Sequence, residues 1–209
     1  MAEEVTDVHS YEINGVLVQT GDVICTVDGD DTFMAGAVWR FIGKMIPGKV
    51  DHVAIYLGPE GRCAEAGSKL KVAIFNVHDE KWDANAMADE RGSIRDTFYG
   101  AVYPLENSGK SHEEIARARI DIANYCIEQA NSNKPYNVNF LNSATEDAFY
   151  CSQLAFKAYQ LHGIDLNTNN GLPGIPFTES IVFPQEIWDG NFTKRQAYEA
   201  SSNPGLSWL

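Results

Sequence analysis

Several strand-like segments follow one another in the middle of the chain with no helix between them, and this order limits the possible folds. Residues 51–57 and 62–66 are apolar runs on either side of Gly58-Pro59-Glu60-Gly61, a turn sequence that predicts a β-hairpin. Further strands are predicted over residues 70–77 and 96–105. Strands joined by short turns pair antiparallel, so the pattern predicts an α+β fold with an antiparallel sheet rather than a doubly wound one.

One more strand and three helices are predicted around this central region. The strand covers residues 20–27. Apolar residues at helical spacing predict a first helix over residues 33–46. Ser111-His112-Glu113-Glu114 is a capping box that opens a second helix running to about residue 131. A third helix is predicted over residues 150–162.

The domain organisation follows from length and from the absence of a linker. A chain of 209 residues with no repeat and no stretch rich in Pro, Gly and Ser predicts a single domain over residues 1–209. The recognisable elements lie within about residues 20–162. Residues 163–209 are rich in Gly, Pro and Asn, and they are predicted to form an irregular wrap over the surface.

The charge restricts the partners. With 29 acidic and 16 basic residues the net charge is −13, which argues against binding to nucleic acid or to an anionic membrane surface and favours a neutral or cationic ligand. The longest clear apolar run, residues 53–57, is too short for a membrane span. The first residues are acidic, unlike a signal peptide. We therefore expect a cytoplasmic protein, or a secreted or periplasmic one if a signal peptide has been removed.

Of the four cysteines, Cys151 has the position best suited to chemistry. It lies at the predicted start of the third helix, where free N–H groups favour a thiolate and can stabilise an oxyanion during attack on a carbonyl. An inert, buried cysteine is the alternative there. Cys25, Cys63 and Cys126 are predicted to be core residues. No Cys-x-x-Cys pair is present, which excludes a zinc ribbon or a thioredoxin motif.

His52 and Glu65 are predicted to be neighbours in the hairpin. His52 and Ala54 share one face of the first strand, since side chains alternate. If the hairpin closes symmetrically about its four-residue turn, Glu65 lies opposite Ala54 and is a diagonal neighbour of His52 on that face. A carboxylate there can hold the imidazole in one tautomer. A glutamate facing water is the alternative, and a register slip of one residue would remove the contact.

Five short blocks of the sequence occur in an order that is typical of one protein family. They are Gly21-Asp22-Val23-Ile24, Asp51-His52-Val53-Ala54-Ile55-Tyr56-Leu57-Gly58, Ala64-Glu65-Ala66, Pro135-Tyr136-Asn137 and Tyr150-Cys151-Ser152-Gln153-Leu154. With these blocks the chain resembles YiiX-like proteins, which are circularly permuted members of the papain-like NlpC superfamily. The histidine precedes the cysteine in them, as it does here.

The resemblance implies a papain-like core in which a helix with the nucleophile packs on an antiparallel, barrel-like sheet with the base. By that match Cys151 is the nucleophile, His52 the general base and then acid, and Glu65 the orienting residue. The implied activity is that of a cysteine amidase or peptidase, without cofactor or metal. It would act through an acyl-enzyme on a small peptide, such as a cell-wall-derived one, or on an amino-acid amide. Asp51, Asn137 and Gln153 depart from the family pattern, which leaves the substrate open.

Three other functions would use parts of this pattern, and each agrees with it less well. Lipid-directed thiol acyltransferases and hydrolases of the same superfamily also place a histidine before the cysteine, but they usually have a second histidine as third member. A non-catalytic binding module could keep the same fold. A metallohydrolase with His52, Asp51 and Glu65 as ligands conflicts with the alternation of side chains along a strand, which points successive residues to opposite faces.

Overall fold

The computed structural model describes residues 1–28, 48–171 and 176–197, and these residues form eight strands and four helices. The strands are β1 Ser10–Ile13, β2 Val16–Gln19, β3 Val23–Asp28, β4 His52–Tyr56, β5 Arg62–Ala66, β6 Val72–Asn76, β7 Asp96–Tyr103 and β8 Thr193–Gln196. The helices are α1 Ala88–Arg91, α2 His112–Asn131, α3 Cys151–Gln160 and α4 Pro184–Asp189. The predicted helix over residues 33–46 lies outside the described residues.

Six strands form one sheet in the order β6-β5-β4-β3-β7-β8, and every pairing in it is antiparallel. The predicted α+β class with an antiparallel sheet is therefore confirmed. The register of the central hairpin is also as predicted, because Ile55 pairs with Ala64 and Tyr56 with Cys63. This register places Ala54 and Glu65 on the same face of the sheet.

The two faces of the sheet carry two different cores. Val53, Ile55 and Ala64 point to the face that α2 and α3 cover, and their cluster includes Cys151. Tyr56 belongs to a second cluster on the opposite face, which residues of the β1–β2 hairpin cover. Because both faces are buried, β4 is apolar over nearly its whole length and begins with its one polar residue.

The capping box at the start of α2 has the predicted geometry. The Ser111 side chain accepts a hydrogen bond from the Glu114 backbone N–H, and the Glu114 carboxylate accepts one from the Ser111 N–H. These two bonds satisfy donors that the first turn of a helix leaves free. Arg119 on this helix reaches the turn before β3, where its guanidinium donates to Asp22 at 2.6 Å.

Both ends of the chain contain regular elements that the sequence reading did not predict. The β1–β2 hairpin turns at Asn14-Gly15, where both residues have positive φ, and this dipeptide is a strong hairpin signal. The region after residue 163 is not only an irregular wrap, because α4 and β8 lie within it and β8 pairs with β7. The sequence of β8, Thr-Lys-Arg-Gln, lacks an apolar alternation since it is an exposed edge strand.

No helix within the described part of the chain is both long enough and apolar enough to cross a membrane.

Candidate active site

Cys151 is the first residue of α3, as the sequence predicted. Its side chain lies at the positive end of the helix, next to the N-cap residue Tyr150. It keeps 3% of its surface exposed, whereas Cys25, Cys63 and Cys126 are completely buried. Burial raises the pKa of each of those three thiols, that of Cys126 to about 12. They are core residues, as predicted.

His52 is the first residue of β4, and its side chain is 12% exposed. Its Nε2 lies 2.9 Å from Oε2 of Glu65. Burial lowers the pKa of His52, but the charge of Cys151, a hydrogen bond with its sulfur, and the Glu65 carboxylate together raise it well above its ordinary value. Since Nε2 is bonded to Glu65, Nδ1 is the ring nitrogen left for the thiol. The structure thus brings the three predicted residues together.

The position of His52 at the end of a strand explains how the three groups meet. By alternation His52 and Glu65 belong to the sheet face opposite the helices, whereas Cys151 packs on the helix face. Inside the sheet these groups would be separated by the backbone. At the first residue of β4 the imidazole lies at the border of the two cores, so it can contact both.

Arg91 is a site residue that the sequence reading missed. It ends α1, is 1% exposed, and donates to Glu65 from Nη2 at 2.7 Å and from Nε at 3.1 Å. Oε2 of Glu65 therefore bonds to both His52 and Arg91. Burial raises the pKa of Glu65, but the Arg91 charge and the bond to His52 hold it below its ordinary value. Glu65 is ionised, and it orients His52 without competing for its proton.

Asp96, the first residue of β7, binds the other side of the same guanidinium. Its oxygens lie 2.7 Å and 2.8 Å from the two terminal nitrogens of Arg91, a bidentate pair. It also accepts hydrogen bonds from Thr26 at 2.7 Å and from the Trp82 indole at 3.0 Å. Burial raises the pKa of Asp96, but these bonds and the Arg91 charge hold it below its ordinary value.

Two aromatic rings enclose the Arg91 guanidinium. Its central carbon lies 4.6 Å from the centre of the Phe75 ring and 4.8 Å from that of Trp82. The rings exclude water and add cation–π attraction, which strengthens the ion pairs of the cluster. Ser68 also holds this residue in place, because its hydroxyl donates a hydrogen bond to the backbone carbonyl of Arg91.

One sequence signal pointed to this cluster. Glu65 lies inside the apolar run Cys63-Ala64-Glu65-Ala66, and a carboxylate that is buried in such a run needs a cation or several donors. Neither Arg91 nor Asp96 belongs to a recognisable sequence pattern. Arg91 lies in a polar stretch and contacts Glu65 only through the tertiary fold.

The first turn of α4 and the residues just before it contact both sides of the site. The Gln185 side-chain oxygen accepts hydrogen bonds from the backbone N–H groups of Lys49 and Val50, just before the histidine strand. Val182 accepts a bond from the Ser152 hydroxyl at 2.7 Å, next to the cysteine. This part of the chain thus ties the beginning of β4 to the beginning of α3.

Two of the three residues that differ from the YiiX-like sequence pattern contact each other. The Asn137 amide donates to the Gln153 side-chain oxygen at 2.9 Å, and both residues are buried. Gln153 also donates to the carbonyls of Ser143 and Thr145. The pair thus fixes the loop that precedes the cysteine helix.

No group of three or more His, Cys, Asp or Glu side chains in the described ranges is arranged to hold a metal ion. Comparison of the chain with protein-family models, with curated proteins and with solved structures finds no match.

Proposed function

We propose that this protein is a cysteine hydrolase with a papain-like, YiiX-like arrangement, and that it cleaves an amide bond in a small peptide or amino-acid amide. The observation that carries the proposal is the convergence of Cys151, His52 and Glu65 at one end of the sheet. A thiol at a helix start, an imidazole close to it and a carboxylate bonded to the Nε2 of that imidazole are the nucleophile, base and orienting group of cysteine hydrolases.

The reaction has two halves. The Cys151 thiolate attacks the amide carbonyl, and the protonated His52 gives its proton to the nitrogen of the leaving amine. The carbon–nitrogen bond breaks and leaves a thioester on Cys151. His52, now neutral, takes a proton from water, and the resulting hydroxide displaces the thiolate, which releases the acid and restores the ion pair.

The start of α3 supports both halves. The negative oxygen of each tetrahedral intermediate would lie near the backbone N–H of Cys151, at the positive end of the helix. Glu65 keeps His52 in the tautomer and orientation that both proton transfers need.

The test is a panel of short peptides and amino-acid amides with a fluorogenic amine as leaving group. We expect turnover by the parent protein and none by Cys151→Ala. The matched control is Cys126→Ala, because Cys126 is a buried cysteine of helix α2 that is not part of the triad. Equal turnover by the parent and by Cys151→Ala would overturn the proposal.

Labelling with iodoacetamide near neutral pH tests the nucleophile without a substrate. We expect peptide mapping to find Cys151 alkylated much faster than the other three cysteines, and His52→Ala to remove most of the difference. Equal labelling of all four cysteines, or faster labelling of Cys25, would contradict the assignment.

A further inference from the structure

A buried charge cluster of Glu65, Arg91 and Asp96 lies behind the triad. The three side chains are at most 1% exposed. Arg91 bonds at 2.7 Å to the same oxygen of Glu65 that His52 contacts. A cation in this position opposes the field that the carboxylate exerts on the imidazole. If Arg91 were present without Asp96, Glu65 would still orient His52, but the field at the imidazole would do little to keep His52 protonated.

Asp96 changes this balance. Two carboxylates and one guanidinium give the cluster a net charge of minus one, as if Glu65 stood alone. Asp96 is also fixed in place, since Thr26 and Trp82 donate to its two oxygens. Thr26 is the cross-strand partner of His52, so the second carboxylate is anchored beside the strand end that carries the base.

The geometry points to Arg91 and Asp96 as positioning residues of the triad: Arg91 fixes the Glu65 carboxylate in one orientation, and Asp96 keeps the cluster negative so that His52 stays protonated beside the Cys151 thiolate. The inference rests on the proposed function, because it concerns the same three residues.

The measured pKa of His52 depends on every charged group around its imidazole, and a titration has to distinguish their contributions. In the described part of the chain they are Cys151 from α3, Glu65 from β5, Arg91 from α1 and Asp96 from β7, with Asp51 adjacent in sequence. Substitution of Cys151 removes its sulfur from beside the imidazole and leaves the cluster as the main source of negative field. The pKa of His52 in a Cys151→Ala protein therefore reports on the cluster directly.

The experiment is a titration of the imidazole of His52 by NMR in Cys151→Ala protein, with and without Asp96→Asn. We expect the single variant to have a pKa of His52 above the ordinary value of 6.5, and Asp96→Asn to lower it by about one pH unit. Asp96→Glu restores the charge and should restore most of the shift. The matched control is Asp22→Asn, since Asp22 is also a buried carboxylate paired with an arginine, at the far end of β3.

Two results would overturn the inference. One is a pKa of His52 at or below 6.5 in Cys151→Ala, a measurement that needs no change in the cluster and so stands even where Asp96→Asn fails to fold. The other is an equal shift in Asp96→Asn and Asp22→Asn. Neither measurement uses a substrate. Absence of turnover with the expected titration would therefore contradict the proposed function alone.

Discussion

Two arginines are buried in the described part of the chain, and their surroundings differ. Arg91 donates to both oxygens of Glu65 and both oxygens of Asp96, between two aromatic rings. Arg119 uses one nitrogen, Nη1, which donates to Asp22 at 2.6 Å and to the Thr20 carbonyl at 2.8 Å. The first arginine lies at the candidate active site, and the second joins α2 to the turn before β3.

The pKa values of the carboxylates beside the two arginines shift in opposite directions. The pKa values of Glu65 and Asp96 are held below their ordinary values, because several charge-assisted bonds outweigh burial. Burial raises the pKa of Asp22 to about 6 despite its bond to Arg119. A short contact with arginine is thus not enough to hold the pKa of a buried carboxylate at or below its ordinary value. The number of bonds, and whether they are bidentate, decides the outcome.

The largest expected difference is in the cost of removing each arginine. Arg91→Met removes the guanidinium that Glu65 and Asp96 share in the interior, and we expect a loss of about 3–5 kcal/mol in the free energy of unfolding. Arg119→Met should cost less at pH 5, since Asp22 can take up a proton and keep its hydrogen bond from the Gln19 N–H. Urea denaturation at pH 5 measures both. Equal losses would show that the two clusters do not differ as described.

The comparison also shows what the sequence could reveal. The hairpin register that makes Glu65 a diagonal neighbour of His52 was predictable, because side-chain alternation and a four-residue turn determine it. The position of Cys151 at a helix start was predictable from apolar spacing. Arg91 and Asp96 were not, since nothing local distinguishes a buried arginine in a polar stretch from an exposed one.

The ends of the chain were missed for two different reasons. The β1–β2 hairpin contains Asn14-Gly15, a recognised turn signal that was available in the sequence. Strand β8 contains no such signal, because an edge strand of polar residues is stabilised by its pairing with β7. Local pattern thus determined the hairpin, whereas tertiary pairing determined the edge.

Turnover measurements should also distinguish the cluster around Arg91 from the ion pair of Arg119. Glu65→Gln removes the negative charge beside His52 but can keep one hydrogen bond, so we expect kcat/KM on a substrate from the panel to fall by about 10- to 100-fold, and by less than in His52→Ala. Asp22→Asn, the matched substitution at the other arginine, should stay within about twofold of the parent. A fully active Glu65→Gln protein would contradict the orienting role of Glu65.

The pH dependence of stability should show the effects of the raised and of the lowered carboxylate pKa values in one curve. Asp22 binds a proton near pH 6 in the folded state but only near 3.8 when unfolded, so its contribution increases stability as the pH falls from 7 towards 4. Glu65 and Asp96 stabilise the fold above about pH 4, and this stabilisation is lost as the pH falls through their lowered pKa values.

His52 adds a contribution at higher pH that has the same sign as that of Asp22 and is opposite to those of Glu65 and Asp96. Its pKa is raised on folding, so its stabilisation is complete below its ordinary value of 6.5 and is lost as the pH rises through the folded value. Thermal unfolding of the parent and of Asp22→Asn from pH 3 to 9 measures these terms. Asp22→Asn should flatten the curve between pH 4 and 6, by about 1–2 kcal/mol, and leave the acid limb unchanged. An unchanged curve in that window would contradict the raised pKa of Asp22.

The smallest expected effect concerns the indole that supports Asp96. Trp82→Phe keeps an aromatic ring over Arg91 but removes the 3.0 Å bond from Nε1 to Asp96, and we expect a loss of about 1–2 kcal/mol from this bond. Because the change also removes volume from a core position, the loss in Trp82→Phe alone does not isolate the bond.

A double-mutant cycle with Asp96→Asn separates the two contributions. If the indole supports the Asp96 charge, Trp82→Phe costs less in the Asp96→Asn background than in the parent, because a bond to an ionised acceptor is stronger than one to an amide. Trp188→Phe is the matched control, since Trp188 packs edge-on against Tyr99 and lies outside the cluster. Its cost should be the same in both backgrounds. Equal costs of Trp82→Phe in the two backgrounds would reduce Trp82 to a packing residue and leave Arg91 and Thr26 as the groups that hold Asp96.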